Sequence, residues 1–472
     1  MEREKLKSRL GFILISAGCA IGIGNVWKFA YMAGQGGGGF FVLLYLLFLV
    51  MLGIPIMSME FAVGRASQKS PAQAYKALEK AGQKWHIHGY IALIGNYLLM
   101  MFYTTVAGWM LYYFYLTSTG KFVGLNTDGV ANVFSEMLQK PVTMTICMLI
   151  IVVVGFFICS IGLQNGLEKV TKVMMVALLA IMVILAINSF FMKGAKEGLS
   201  FYLIPSIERA KAAGIGNTAV GAMNQAFFTL SIGIGAMAIF GSYIGKDRSL
   251  LGESVTIAAL DTFVAITSGL IIFPACFTFG VDQTQGPSLV FITLPNIFNN
   301  IPFGRVWGSL FFVFMTFAAF STVLAVFENI VSCCMELTGF NRKKSSIVNM
   351  ILVALLSMPC VLGFNLWSFD WLGVFGGSFL DFEDFLVSNI WLPLGSLIYL
   401  LFCTSKFGWG WKNYKEEANT GKGIKIHNWM RVYLTYILPL IVLFIFAFGI
   451  YDKFWANINN TIKEIGRASC RE

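Results

Sequence analysis

Gly18-Cys19-Ala20-Ile21-Gly22-Ile23-Gly24-Asn25-Val26-Trp27 lies inside an apolar run over 10–33, and Ser231-Ile232-Gly233-Ile234-Gly235 lies inside a second run over 216–244. Each run is long enough to cross ~30 Å of hydrocarbon as a helix. Each is nevertheless interrupted at its middle by paired glycines with polar neighbours, Asn25 in the first and Thr229 and Ser231 in the second. Singly, either pair reads as a close-packing device between membrane helices. Together, five helices apart, they point to an inverted repeat whose first and sixth helices are broken at the bilayer midplane, where freed amides and carbonyls can hold a solute and ions.

The rest of the chain agrees with a membrane setting. Of 472 residues 57% are hydrophobic and only 12% charged, too little polar surface to cover a soluble core. Apolar runs of membrane-spanning length occur at 10–33, 38–64, 87–116, 142–160, 170–192, 216–244, 255–280, 303–335, 346–366, 375–403 and 432–451. Alternation of the kind that closed barrels need is absent, so the expected class is an all-α integral membrane protein. The first run is too long and glycine-rich for a cleaved signal peptide. The expected organisation is an N-terminal segment (1–9), a first repeat of five helices (10–192), a loop (193–215), a second repeat (216–404), a loop (405–431), an appended helix (432–451) and a tail (452–472).

The net charge of +10 is read through its distribution. Loops on the side of the N-terminus carry about twice as many Lys and Arg as those opposite, which predicts a cytoplasmic N-terminus and, after eleven spans, an extracellular C-terminus in a cell membrane. Basic clusters such as Arg342-Lys343-Lys344 are then orientation signals, and no nucleic-acid partner is expected. The glycine-rich stretch Gly34–Gly39 lacks the Lys-Ser/Thr of a phosphate loop, so no nucleotide is expected and the energy source should be an ion gradient. Nine cysteines without paired spacing and three histidines, His86, His88 and His427, suggest neither a disulfide framework nor a transition-metal site.

Ionisable groups at membrane depth need a reason. Lys28, Glu60, Asp261 and Glu328 stand out. Asp261, within Ala-Leu-Asp-Thr-Phe-Val-Ala-Ile, has no basic neighbour in sequence and reads as an oxygen ligand for a hard cation; a carboxylate facing a water-filled vestibule, or one kept protonated, is the alternative. The adjacent hydroxyls Ser321-Thr322 on the eighth run commonly only bond back to their own helix.

With these residues in view the chain resembles the neurotransmitter:sodium symporter family. The resemblance rests on Gly18 to Trp27, on Gly53-Ile54-Pro55 with Glu60 and Gly64-Arg65, on Gln225 to Ser231, and on Ala318 to Thr322, in the family's order over most of the chain. It implies a LeuT-type fold of five plus five inverted helices with one more helix at the C-terminus. It implies two sodium sites: one from the Ala20 carbonyl, Asn25, Thr229 and Asp261 with the substrate carboxylate, the other from Gly18, Ile21, Ala318, Ser321 and Thr322. Relatives that carry monoamines have an aspartate where this chain has Gly22, so the resemblance implies an α-amino acid whose carboxylate meets sodium, Tyr103 and the amides near Gly22 and Gly24. Its side chain would lie among Leu99, Tyr103, Phe228, Ser231, Ile234, Thr322 and Val326, a mostly apolar lining suited to aliphatic or aromatic amino acids.

Asp261, where relatives carry asparagine, implies transport without chloride, although Ala265 lacks the glutamate that some chloride-independent relatives use. The outer gate would be Lys28 with Asp384, looser than an arginine fork, under a Phe228 lid. The inner gate would be Arg3, Tyr243 and Glu336. Leu6 stands where a tryptophan is expected, and Val176 where helix five should carry a proline. The resulting expectation is a sodium-coupled amino-acid symporter rather than an enzyme, since no nucleophile-base constellation is present. The rivals are a non-transporting sensor with the same pocket and a cation channel.

Overall fold

The computed structural model describes residues 4–280, 289–299, 301–367, 369–451 and 454. Among these residues the architecture is helical, with one isolated bridge between Arg248 and Lys422. The membrane-crossing elements are α1 (Arg9–Ala20), α2 (Gly24–Gln35), α3 (Gly39–Ser67), α4 (His86–Ser118), α5 (Pro141–Ile161) and α6 (Leu163–Phe190). They continue with α7 (Ile215–Thr229) and α8 (Ala236–Gly241), then α9 (Leu250–Phe279), α10 (Gly304–Thr338), α11 (Arg342–Leu362), α12 (Phe379–Thr404) and α13 (Met430–Tyr451). The expected loop 193–215 carries helices Ala195–Leu203 and Ile207–Ala213, and the loop 405–431 carries Trp411–Ala418. Of the expected tail 452–472, all but Phe454 lies outside the described residues.

Among the described residues nine helices are long and apolar enough to cross a membrane, and α1 with α2, bent by 58°, makes a tenth. The run 216–244, expected as the sixth span, is divided between α7 and α8, so neither part has the length of a span. The reason is local. Between them Ser231, Gly233 and Gly235 adopt φ of +50°, +100° and +75°, left-handed conformations that end a right-handed helix and suit glycine.

Lipid takes the place of water around this bundle. Val142, Ile146, Leu149, Val153 and Phe157 are exposed on α5 at helical spacing, an apolar outer stripe that only a hydrocarbon surround would favour. The interior is organised around α10, which packs most extensively on α4 and also receives α6 and α1. α8 lies backbone to backbone on α3: a side chain at Gly64 would strike the Ala238 carbonyl, and one at Gly241 the Phe61 carbonyl. These two contacts hold the broken sixth helix against the second span.

Candidate functional site

Helix breaks leave backbone groups without helical partners, and here each set meets a particular side chain. Past the end of α1 at Ala20, Ser231 donates to the Cys19 carbonyl at 3.2 Å. Thr322 lies 3.3 Å from both the Gly18 and Cys19 carbonyls and 3.4 Å from that of Ile21. Ser321 lies 3.3 Å from the Ile21 carbonyl and 3.0 Å from that of Ala318. The five positions expected for a second sodium site therefore converge, and every polar atom among them is a neutral oxygen, the donor chemistry that a hard monovalent cation takes. The Gly18 and Ile21 carbonyls lie at the negative end of α1.

The other expected ion cluster is built around a charge. Asp261, fully buried on α9, accepts from Asn25 Nδ2 at 2.7 Å, from Thr229 Oγ1 at 3.0 and 3.2 Å, and from the Tyr45 hydroxyl at 3.4 Å. Asn25 Oδ1 in turn accepts from the Gly22 amide at 3.0 Å. A carboxylate and three oxygen-bearing side chains from four helices thus meet beside the first break, next to Ala20, which lines the adjoining cavity.

That cavity lies between the two breaks and is walled by several stretches of the chain. The first break contributes Cys19, Ala20, Gly22 and Gly24; α4 contributes Leu99 and Tyr103; α7 and the second break contribute Phe228, Thr229, Ser231 and Ile234; α10 contributes Thr322. Every expected pocket residue but one lines it. Val326 does not: it is fully buried about one turn beyond Thr322 on α10, and the cavity wall is completed instead by Val387 and Leu392 of α12. Cys19, Val387 and Leu392 were not foreseen, being apolar residues in apolar helices.

Gly22 is required by this geometry. A side-chain carbon there would strike the Tyr103 hydroxyl and lie 2.7 Å from Thr322 Oγ1. The Tyr103 hydroxyl accepts from the Ile23 amide at 2.9 Å, so the polar end of the cavity is formed by the start of α2, where the helix dipole favours an anion.

Beyond Phe228 lies a vestibule lined by Trp27, Lys28, Tyr31, Leu380, Asp381 and Asp384 among others. Phe228, with Gly24 and Tyr103, belongs to both walls, and these three residues separate the two spaces. Lys28 Nζ is 2.9 and 3.0 Å from the Asp384 carboxylate oxygens, 3.0 Å from Ser388 Oγ, and 4.0 Å from the centre of the Phe228 ring. All three ammonium protons have acceptors, so the lysine makes up in number what it lacks as a fork.

Of the expected inner gate, Arg3 lies outside the described residues. Tyr243 donates to Glu328 at 2.7 Å and shares a hydrogen bond with Ser332 at 2.7 Å. Arg342 forks onto Glu328 at 2.7 and 3.1 Å and reaches Glu4 at 3.2 Å. Glu336 accepts from the Ser70 amide and hydroxyl at 2.9 and 2.7 Å. The centre of this network is Glu328, whose place in an apolar helix was the signal, although no role was read from it. The strap 4–8 is pinned by polar contacts: the Lys7 amide donates to Glu168 at 3.1 Å, and Gln164 donates to the Lys5 carbonyl at 2.7 Å.

Glu60 also finds its use here. Its carboxylate accepts from the Gly233 amide and, at 3.2 Å, from the Met237 amide, satisfying the exposed start of α8 at its positive end.

A model of the sodium:neurotransmitter symporter family matches residues 3–128 and 128–461. The uncharacterized sodium-dependent transporter YhdH of Bacillus subtilis is 34% identical over 441 residues, covering 93% of this chain and 96% of that protein. The uncharacterized sodium-dependent transporter MJ1319 of Methanocaldococcus jannaschii is 30% identical over 461 residues, covering 94% and 89%. Among solved structures, the crystal structure of MhsT in complex with L-phenylalanine superposes with a TM-score of 0.84 at 34% identity, covering 94% of this chain and 99% of that one.

Proposed function

This chain belongs to the sodium:neurotransmitter symporter family, as a multi-pass sodium-dependent transporter and not an enzyme, and from that premise we propose that it takes up hydrophobic L-amino acids, aliphatic or aromatic, with sodium and without chloride. The observation that carries this reading is the cavity at the first break. Its polar end offers the Tyr103 hydroxyl and the open space at Gly22, and its other end is apolar. An α-carboxylate suits the first and a hydrocarbon side chain the second. The L-phenylalanine bound by MhsT supports the same class.

In this reading two sodium ions are carried, one at the Asp261 cluster and one at the Ser321–Thr322 cluster. The substrate carboxylate completes the first site, so each ligand raises the affinity of the other by the same factor. Asp261 supplies beside that ion the negative charge that chloride would otherwise bring. Phe228 and the Lys28–Asp384 pair close over the occupied cavity. Release follows loosening of the network around Glu328, Tyr243, Glu336 and the N-terminal strap, with access alternating between the two sides. The bias of basic residues supports a cytoplasmic N-terminus and an extracellular C-terminus.

The test is uptake of radiolabelled amino acids into proteoliposomes under an inward sodium gradient, with and without chloride. Accumulation that needs sodium and ignores chloride is expected. Sodium-dependent binding with no accumulation would instead identify a sensor that uses the same pocket.

A further inference from the structure

Val387 and Leu392 both line the cavity, yet they are five residues apart. On an α-helix, at 3.6 residues per turn, side chains five positions apart differ in direction by about 140°, so a single cavity would receive one of them. The segment Leu386–Trp391 is instead a π-helical turn, closed by a bond from the Leu392 amide to the Val387 carbonyl. A turn of this i to i+5 kind holds one residue more than an α turn, so the two residues come to share a face much as i and i+4 do on an α-helix.

The turn is held in place from both directions. Pro393 follows Leu392 and offers no amide to continue the ladder. Trp391 Nε1 donates to the Ile91 carbonyl at 3.0 Å, and its ring lies against Gly95 of α4, where a side-chain carbon would strike it and come within 3.0 Å of Ile234. On the other side the second break presses directly on α12: a side chain at Gly233 would strike the Leu392 carbonyl, and one at Gly395 would strike the Gly233 carbonyl. Leu392 is therefore wedged where the unwound backbone, α4 and α12 meet, with little freedom to move away from an occupant.

We propose that the π-turn of α12 is a specificity device: by stacking Val387 and Leu392 on one face it sets the depth of the cavity's apolar end, and so the size of side chain the protein carries. The inference rests on the amino-acid reading above and deepens it. It assigns selectivity to α12 through two residues that carry no charge or polar group, while Asp384 and Ser388, which hold Lys28, remain available for the gate.

The experiment compares kcat/KM for valine, leucine, phenylalanine and tryptophan in proteoliposomes of the wild type, Leu392→Ala, Leu392→Phe, Val387→Ala and Val326→Ala. Leu392→Ala and Val387→Ala should each raise the tryptophan-to-valine ratio by about tenfold or more, and Leu392→Phe should lower it similarly, the range expected when a hydrophobic pocket gains or loses carbon atoms. Val326→Ala, buried outside the cavity, should leave the ratio unchanged. If the α12 variants lower all four substrates in proportion, or if Val326→Ala moves the ratio as far, the proposal is overturned. Should Leu392→Ala not fold, Val387→Ala decides the matter alone. A wild type that accumulates none of the four would defeat the substrate reading itself, a result seen before any variant is made.

Discussion

The Asp261 cluster and the Ser321–Thr322 cluster both lie against the first helix break, but they are made of different chemistry. One gathers neutral side chains around a fully buried carboxylate, with donors at 2.7 to 3.4 Å. The other has hydroxyls and backbone carbonyls alone, spaced at 3.0 to 3.4 Å. A cation entering the first meets a full opposite charge. A cation entering the second meets only dipoles, helped by the carbonyl end of α1. The difference teaches that the two clusters should not respond alike to charge or to anions: the first is an electrostatic site and the second a geometric one.

The most severe way to break the comparison is to remove the charge. Two unit charges 4 Å apart interact by about 4 kcal/mol at an effective dielectric constant of 20. Asp261→Asn should therefore reduce sodium-driven uptake in chloride-free medium by about a hundredfold or more. Because asparagine keeps an oxygen at the position, added chloride should restore part of the loss. Uptake measured in gluconate and in chloride buffers checks both statements, and full activity of the variant in gluconate would remove Asp261 from its assigned role.

Ser321→Ala gives a smaller and differently shaped effect. Ser321 does not line the cavity, so its loss removes one oxygen of the proposed sodium site without altering the cavity wall. A lost hydrogen-bonding group in a buried site costs about 1–3 kcal/mol, and the sodium concentration for half-maximal uptake should rise by about tenfold. No anion should rescue it. If chloride did restore Ser321→Ala, the distinction between an electrostatic and a geometric site would fail.

The two clusters also differed in how far they could be read in advance. Asp261 announces itself, since a carboxylate in the middle of Ala-Leu-Asp-Thr-Phe is costly in lipid and invites an explanation. Ser321 and Thr322 do not, because hydroxyls in membrane helices usually bond to the preceding turn; Ser321 makes that bond to Ala318 as well as reaching Ile21. Only resemblance to a family raised the pair above that background. The helical class and the break at Gly22–Gly24 were legible from run length and from glycines beside polar residues. Glu60 and Glu328 were conspicuous by charge, but their partners, the far-off Gly233 amide and the Arg342 fork at the start of the next helix, depend on tertiary packing. Val387 and Leu392 gave no signal. They reach the cavity through a π-turn, and hydrophobic periodicity at 3.6 residues assigns a residue to a face only while the helix stays α.

Tyr45→Phe sharpens the first cluster with the smallest change. Its hydroxyl is 3.4 Å from Asp261 Oδ2, at the long edge of hydrogen-bond geometry, whereas Asn25 reaches the same carboxylate at 2.7 Å. The Tyr45 ring is fully buried and packs on Phe29 with centroids 4.8 Å apart, and phenylalanine preserves that contact. Removing the hydroxyl should therefore cost under about 1 kcal/mol and raise the half-saturating sodium concentration by no more than about fivefold. The direction of the change tests that expectation. A donor that spreads the carboxylate's charge competes with a bound cation for it, so a tyrosine acting mainly as competitor would leave sodium affinity higher in the variant. A sodium titration of substrate binding to the purified variant separates the two: weaker apparent affinity makes Tyr45 a support that orients Asp261, and stronger affinity makes it a brake on the charge that distinguishes this cluster from the other.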